Sequence, residues 1–281
     1  MAIRIRHMNP GDVAWGMSLK DQAGWNQTRQ DWERFLALEP EGCFVAEYQG
    51  QRAGTTVALC FGQVAWLAMV LVDHALRRRG IGRALVAHAL QYLESRQVLT
   101  VRLDATSLGR PLYEQFGFQI EYSLTRFTGV PVFVECSSHI SMRPADAKDF
   151  SEVCTLDATV THTDRRRLLA AWWSDKQVIK YVTDGNNQVS AYAMIRPGSR
   201  ASMVGPILAN PDIGLAVFSK VLVACAARPI YLDLPDFQPV AQHCAERVGL
   251  RAERSFFRMW LGQKPCELRH YLWASSGPEC G

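Results

Sequence analysis

Apolar and polar residues alternate at the start of the chain, where Ile3 and Ile5 are interleaved with Arg4 and Arg6, and this period of two predicts a strand. Asn9-Pro10-Gly11-Asp12 is a helix-start signal, and the helix it opens runs to about Lys20. A loop carrying Trp25 and Asn26 follows. Thr28 and Asp31 then open a second helix with Trp32, Phe35, Leu36 and Leu38 at helical spacing, ended by Glu39-Pro40-Glu41-Gly42. Residues 43–48, 51–60 and 63–72 are apolar runs joined by short glycine-containing turns, which predicts three strands in hairpin succession. A basic turn then opens a helix pattern that ends near Arg96. Residues 99–103 predict a strand, 109–116 a short helix, and the chain returns as a strand towards Phe127.

The second half repeats the first. Residues 140–143 with Pro144 and Asp146 echo the opening strand and its Pro10/Asp12 helix start. Strands are predicted at 178–182, 189–195 and 201–208. A helix follows from Asn210-Pro211-Asp212 to about Ala226, then a strand at 230–234, a helix at 239–248 and a last strand near Met259. Leu232-Asp233 matches Leu103-Asp104, Gly249-Leu250 matches Gly117-Phe118, and Arg258 matches Arg126. The last two pairs share one offset of 132 (249 − 117 and 258 − 126). Self-similarity of this kind indicates a duplicated unit. The expected organisation is a first domain at 1–129, a linker at 130–137, a second domain at 138–265 and a tail at 266–281 whose small, polar end is expected to fray. The fold class is α/β (α+β), each domain a mixed, mostly antiparallel sheet flanked by helices.

Composition narrows the function more than it names it. A chain of 281 residues suits two ordinary domains, and 48% hydrophobic with 21% charged residues is a globular balance. A net charge of +4 is too small to indicate nucleic acid as a partner. Eight cysteines lie scattered without a C-x-x-C pair or a Cys/His ligand spacing, so no metal site is expected, and Cys60, Cys154 and Cys225 read as small core residues. No signal peptide and no membrane-length apolar run is visible, and the expected location is cytoplasmic.

The chemistry concentrates in residues 70–85. The strand ending Val70-Leu71-Val72 meets Asp73 to Arg79, then Gly80-Ile81-Gly82-Arg83, and a helix begins. Strand, glycine turn and helix N-terminus is a construction that binds phosphate, because the first helical amides have no acceptor within the helix. Arg77, Arg78, Arg79 and Arg83 add positive charge, and glycine at 80 and 82 allows close backbone approach. The spacing Arg77-x-x-Gly80-x-Gly82 is neither the Walker pattern nor the dinucleotide fingerprint. Further on stands Leu103-Asp-Ala-Thr106, followed by Gly109-Arg-Pro-Leu-Tyr113 and Phe116-Gly117-Phe118.

These two motifs, in this order and on these elements, resemble the GNAT superfamily of acyl-CoA-dependent N-acyltransferases. With the repeat, the chain is similar to a tandem subset of it, two GNAT-fold domains of which the second is degenerate. Where the second copy should carry the basic turn it has Val204-Gly205-Pro206-Ile207-Leu208-Ala209-Asn210-Pro211, with no arginine, and Ala245 stands at the offset position of Tyr113. The resemblance implies acetyl-CoA as co-substrate, with its pyrophosphate on Arg77–Arg83 and its pantetheine arm along the Val70–Val72 backbone. That backbone would polarise the thioester carbonyl at a bulge between two splayed strands. Thr106 stands where the family often has an asparagine on the pantetheine. Tyr113 matches the tyrosine that protonates the departing thiolate. Asp104 is the first candidate for the general base and Asp73 the second; His74 is expected to face solvent. Trp25, Asn26 and Trp66 are candidates for the acceptor side. Arg165, Arg166 and Arg167 read as a solvent-facing helix start.

The expected function is transfer of an acetyl group to a primary amine of a small molecule by direct attack in a ternary complex. The rivals are acetylation of a protein lysine or N-terminus and a non-catalytic acyl-CoA sensor. The second domain is expected to be silent, and the protein a monomer or homodimer with no membrane partner.

Overall fold

In the computed structural model, which describes residues 3–132, 140–185 and 188–281, the chain forms two compact units. One runs to Gln119 and includes Met259–Lys264 and Cys280; the other holds Ile120–Arg258, Pro265–Glu279 and Gly281. Each unit thus includes a segment drawn from the opposite half of the sequence. Of the expected linker, residues 133–137 lie outside the described residues.

The first unit contains β1 (Ile3–His7), α1 (Val13–Gln22), α2 (Arg29–Leu38), β2 (Cys43–Tyr48), β3 (Gln51–Phe61), β4 (Val64–Val72), α3 (Ile81–Ser95), β5 (Thr100–Thr106) and α4 (Arg110–Glu114). Its sheet runs β1-β2-β3-β4-β5, antiparallel up to β4 and parallel between β4 and β5. Residues 259–264 lie along the start of β5. Gln263 N donates to Leu99 O at 2.9 Å, and the Thr100 hydroxyl donates to Gln263 O at 2.9 Å. α3 buries Ile81, Leu85, Val86, Ala89 and Leu93, the i, i+4, i+5, i+8, i+12 stripe of a helix lying on a sheet. α2 starts as its sequence predicts, with Thr28 and Asp31 closing a reciprocal capping box.

The second unit contains, but for Gln119 and residues 259–262, β6 (Gln119–Gly129), β7 (Met142–Pro144), α5 (Phe150–Thr161), α6 (Arg166–Ser174), β8 (Ile179–Gly185), β9 (Gln188–Arg196), β10 (Ser202–Ala209), α7 (Pro211–Ala224), β11 (Ile230–Pro235), α8 (Pro239–Arg247), β12 (Arg251–Gly262) and β13 (Leu272–Ala274). Its strand order is β12-β6-β11-β10-β9-β8-β7, with β13 paired to β10. Its core gathers Phe218, Val221 and Leu222 of α7, Ile207 of β10 and Leu232 of β11, with Trp273 among them. Cys154 and Cys225 are buried as expected, while Cys60 is half-buried.

The duplication extends to individual ion pairs. Arg6 holds Asp12 through two hydrogen bonds of 2.7 and 2.9 Å and reaches Glu47 at 2.7 Å. Arg143 holds Asp149 at 2.7 and 2.8 Å and reaches Asp184 at 2.8 Å. All three members are 137 positions apart (143 − 6, 149 − 12, 184 − 47). The structural counterpart of Asp146 is therefore the cap residue Asn9, and that of Asp12 is Asp149, which corrects the pairing read from sequence.

Hydrogen bonds from Arg143 hold the Asp149 carboxyl at about 2, with the Asp146 N–H helping. A folded-state value below the unfolded ~3.9 means stability that is present above pH ~4 and lost as pH falls towards 2. Asp149→Asn should flatten the stability-versus-pH curve between 4 and 2, measured by urea denaturation at stepped pH. A curve as steep as that of the wild type would contradict this.

Two sequence expectations fail here. The tail does not fray: Trp273, Ala274, Ser275, Ser276 and Glu279 are buried. Its small, polar composition concealed partners far away in sequence. Arg196 reaches the Ser276 carbonyl and Glu279, and Arg165 donates to Gly281 O at 2.7 Å. Arg165 is likewise not solvent-facing. It is buried in a two-pronged pair with Asp157 (3.1 and 2.6 Å), and the Tyr192 hydroxyl donates to the same carboxylate. Arg166 and Arg167 are exposed.

Candidate active site

The site is built within the first unit, from a strand that leaves its neighbour. Parallel pairing between β4 and β5 covers Val64↔Thr100, Ala65↔Val101 and Trp66↔Arg102 and stops there. Beyond Trp66 both strands continue, β4 to Val72 and β5 to Thr106, so the sheet opens into a split. The cause lies on the other side of β4. Thr55 opposes Leu71 but Val57 opposes Ala68, so one extra residue is accommodated in β4, with Met69 at φ 51°. A non-glycine residue in that region is held by its surroundings, here by Thr55, whose hydroxyl donates to Met69 O at 2.9 Å, and Thr56, whose hydroxyl donates to Ala68 O at 3.3 Å. A bulge bends and twists its strand. Val70 and Val72 are half-buried and Leu71 is buried, an apolar rail along one side of the split.

The rail ends in a turn that presents backbone amides. Arg78 (φ 62°) and Gly80 (φ 80°) are both left-handed, and Gly80 is the N-cap of α3 with no side chain to satisfy the helix start. The helix's own bonding begins with Ala84 N to Gly80 O at 3.0 Å, leaving the amides of Ile81, Gly82 and Arg83 without an acceptor in the helix. Arg77, Arg78, Arg79 and Arg83 are exposed around this point. Arg79 stacks over Tyr48 at 5.4 Å, and Arg83 donates to Gln115 Oε1 at 2.9 Å while lying over Phe116 at 5.3 Å. An anion at a helix start gains about 0.3–1 kcal/mol from the dipole alone, and charge-assisted amide bonds add more. The amides are fixed, whereas the arginine heads are salt-screened. The turn therefore fits a phosphate group, and the backbone decides where it sits.

Gly82 connects the two sequence motifs. A Cβ there would touch Leu112 at 3.5 Å and Val72 at 3.7 Å, so the rail, the helix start and α4 meet at this position. A Cβ at 82 would fit in ordinary van der Waals contact with α4, so what glycine adds is easier approach from outside. α4 carries Tyr113, whose ring is buried and stands edge-on to Phe118 at 5.8 Å. Tyr92, Tyr122 and Tyr192 each give their hydroxyl to a carboxylate. The Tyr113 hydroxyl has no such partner among the described residues, and burial pushes its pKa upward, so it stays protonated. Thr106, at the open end of β5, accepts the Gly109 N–H at 3.1 Å and keeps its own hydroxyl proton.

The remaining candidates separate. Asp104 is half-buried near the open end of β5. Asp73 caps the His74–Leu76 turn, accepting from Gln22 Nε2 at 3.1 Å and Ala75 N at 2.9 Å. Those bonds lower its pKa, which weakens it as a base. His74 is exposed, as expected. Asn26 is buried and Trp25 half-buried in the α1–α2 connection, where Trp25 N donates to Lys20 O at 2.9 Å. Trp66 is 3% exposed at the closed end of the split, beneath the Arg102 guanidinium at 5.7 Å. The supports Thr55, Thr56 and Gln22 escaped the sequence reading. A threonine pair in an apolar strand reads as ordinary β filler until its hydroxyls are seen to bond carbonyls across the ladder.

With this geometry in place, the family models decide. Residues 13–118 match the acetyltransferase (GNAT) family, and residues 153–274 match an acetyltransferase (GNAT) domain. The chain belongs to the GNAT acetyltransferases. It is a tandem member, an acyltransferase whose sheet and flanking helices follow the GNAT fold. It is 22% identical over 222 residues to the uncharacterized N-acetyltransferase YitH of Bacillus subtilis, covering 78% of this chain and 77% of YitH. Among solved structures, a candidate acetyltransferase of Pyrococcus horikoshii superposes with a TM-score of 0.85 at 23% identity, over 99% of this chain and 96% of that one. A tandem GNAT protein from the clavulanic acid biosynthesis pathway, solved without acetyl-CoA, gives 0.61 at 14% identity over 95% and 100%. At these identities the structures establish the fold. GNAT enzymes use acetyl-CoA, and among the described residues no helix is long and apolar enough to cross a membrane.

Proposed function

We propose that the first unit binds acetyl-CoA and transfers its acetyl group to a primary amine of a small molecule by direct attack in a ternary complex. The observation that carries this reading is the uncapped start of α3 standing beside a split sheet, with a Tyr113 hydroxyl that has no partner among the described residues on the adjoining α4. The amides of residues 81–83 and Arg77–Arg79 hold the pyrophosphate. The Val70–Val72 backbone beyond the bulge carries the pantetheine arm and offers an N–H to the thioester carbonyl, where charge develops. Thr106 supplies a hydroxyl along the same arm. Acetyl-CoA contributes the activated thioester, and the chain's residues align, polarise and donate.

Tyr113 donates its hydrogen bond to the sulfur as the thiolate leaves. Free-solution values of about 10 for a phenol and 8.5 for a thiol make complete transfer uphill by about 2 kcal/mol. Burial raises the tyrosine further, so its contribution is a directed hydrogen bond that strengthens as negative charge builds on sulfur. Asp104, at the open end of β5, takes the proton from the attacking amine in this reading, directly or through water. Asn26 and Gln27 are buried, which fastens the α1–α2 connection to its own unit instead of leaving it as a broad surface for a protein partner. This supports a small acceptor, with Trp25 and Asn26 on its side. The test is release of free thiol from acetyl-CoA against a panel of small primary amines, with lysine peptides alongside. Turnover confined to small amines is expected; turnover confined to peptides would replace the acceptor class, and none at all would remove the reading.

A further inference from the structure

The second unit contains the same split, and the chain's own tail lies in it. Parallel pairing of β10 with β11 covers Ser202↔Ile230, Met203↔Tyr231 and Val204↔Leu232 and stops, as β4–β5 stops at Trp66. On its other edge β10 shifts register against β9 between Val204 and Ile207, the counterpart of the β4 bulge. Into the gap comes β13, antiparallel to β10 with Ile207↔Ala274 and Leu208↔Leu272. Ser275 N crosses to β11 and donates to Asp233 O at 2.9 Å. The inserted segment thus satisfies backbone groups of both splayed strands, which is β-strand addition within one chain.

The start of α7 has changed to match. Ile213 and Gly214 stand 132 positions after Ile81 and Gly82 (213 − 81, 214 − 82). A Cβ on Gly82 would make ordinary contacts, but a Cβ on Gly214 would collide with the Trp273 ring. A Cβ on Gly205 would likewise strike the Ser275 carbonyl. The anion-binding features are gone. Asn210 caps the helix by accepting from Asp212 N at 3.0 Å, and Pro211 has no amide to offer. Where α3 leaves amides open, α7 presents a capped end and a glycine shelf under a buried indole.

We propose that the groove of the second unit is a peptide site, filled by residues 272–275 of the same chain, with Trp273 as its anchor, and that this unit therefore takes no acyl-CoA. The ligand class is an extended peptide with an aromatic residue over Gly214, bound by main-chain pairing to β10 and β11. Arg258 donates to the Ser275 hydroxyl at 2.9 Å and fixes the register. The acyl-CoA count assumes the reading proposed for the first unit; the peptide groove does not.

The experiment uses the full chain with a specific protease site placed between Lys264 and Pro265. After cutting, the tail is expected to stay bound and to exchange, one per chain, with a labelled peptide of residues 265–281. The same peptide carrying Trp273→Ala should bind at least about a hundredfold more weakly, from the cost of emptying an aromatic pocket. Acetyl-CoA should not displace the labelled peptide. Equal binding of the two peptides, or displacement by acetyl-CoA, would overturn the proposal. Hydrogen exchange on the uncut chain covers the case in which the cut protein does not hold together. Trp273→Ala should deprotect amides of β10 and β11 while leaving β4 unchanged, and unaltered β10 protection would equally overturn it. In calorimetry two acetyl-CoA per chain would refute the peptide groove, whereas none would refute the first-unit reading and leave the groove standing.

Discussion

Tyr113→Phe is expected to lower turnover by about a hundredfold or more while leaving acetyl-CoA affinity nearly unchanged. The estimate follows from the usual contribution of one directed hydrogen-bond donor to developing negative charge, about 10²–10³-fold. Its selectivity follows from the structure. The ring makes the packing contacts, edge-on to Phe118 and under Gly109, and phenylalanine keeps the ring. The hydroxyl bonds nothing among the described residues, so its removal leaves no protein group unsatisfied. Steady-state kinetics with calorimetry on the same preparation check the split. A variant that loses binding along with turnover would show that Tyr113 is a packing residue, and one that turns over normally would remove it from the reaction.

The second large effect is on folding. Asp157→Ala leaves Arg165 buried without its carboxylate and takes the acceptor from the Tyr192 hydroxyl. Breaking a buried pair from one side costs about 3–5 kcal/mol, a large part of the stability of an ordinary domain. Arg165 also ties α5 to the tail, donating to Ser276 Oγ at 2.9 Å and to Gly281 O. The second unit should therefore melt first in this variant, with the indole of Trp273 exposed. Urea denaturation followed by tryptophan fluorescence reads it. A loss below about 1 kcal/mol would mean that the pair is solvated and behaves as a surface salt bridge.

Most of the first unit was legible because its signals are local. Thr28 and Asp31 name a helix start within four residues, and they cap α2 as read. Arg77-x-x-Gly80-x-Gly82 and Tyr113 lie in continuous motifs that the fold brings together at Gly82. The bulge was expected from the family on the strand before the turn, but its residue was not, since no glycine marks the positive φ of Met69. Hydroxyls 14 and 12 residues upstream of the carbonyls they bond hold it, and no short window contains both. The tail was misread for the same reason. Gly277-Pro278-Glu279-Cys280-Gly281 looks like a fraying end, yet its partners Arg165 and Arg196 lie about a hundred residues earlier. Charge alone misled at Arg165-Arg166-Arg167, where one arginine points inward to Asp157 and its neighbours point out. Local patterns report elements and caps, whereas burial of a charge depends on a partner that the pattern does not contain.

The most direct test of the account is calorimetric titration of the full chain with acetyl-CoA, wild type against Gly82→Pro. Proline at the second position of α3 removes one of the open amides at a place where the first turn of a helix tolerates it. The account predicts one site per chain for the wild type and severe weakening in the variant. Ligand at a hundred times Kd should stabilise the wild type by about 2.7 kcal/mol, an increment the variant should lack while melting normally without ligand. Undiminished binding in a well-folded Gly82→Pro protein, or no binding in the wild type, would contradict the placement of the cofactor on the start of α3.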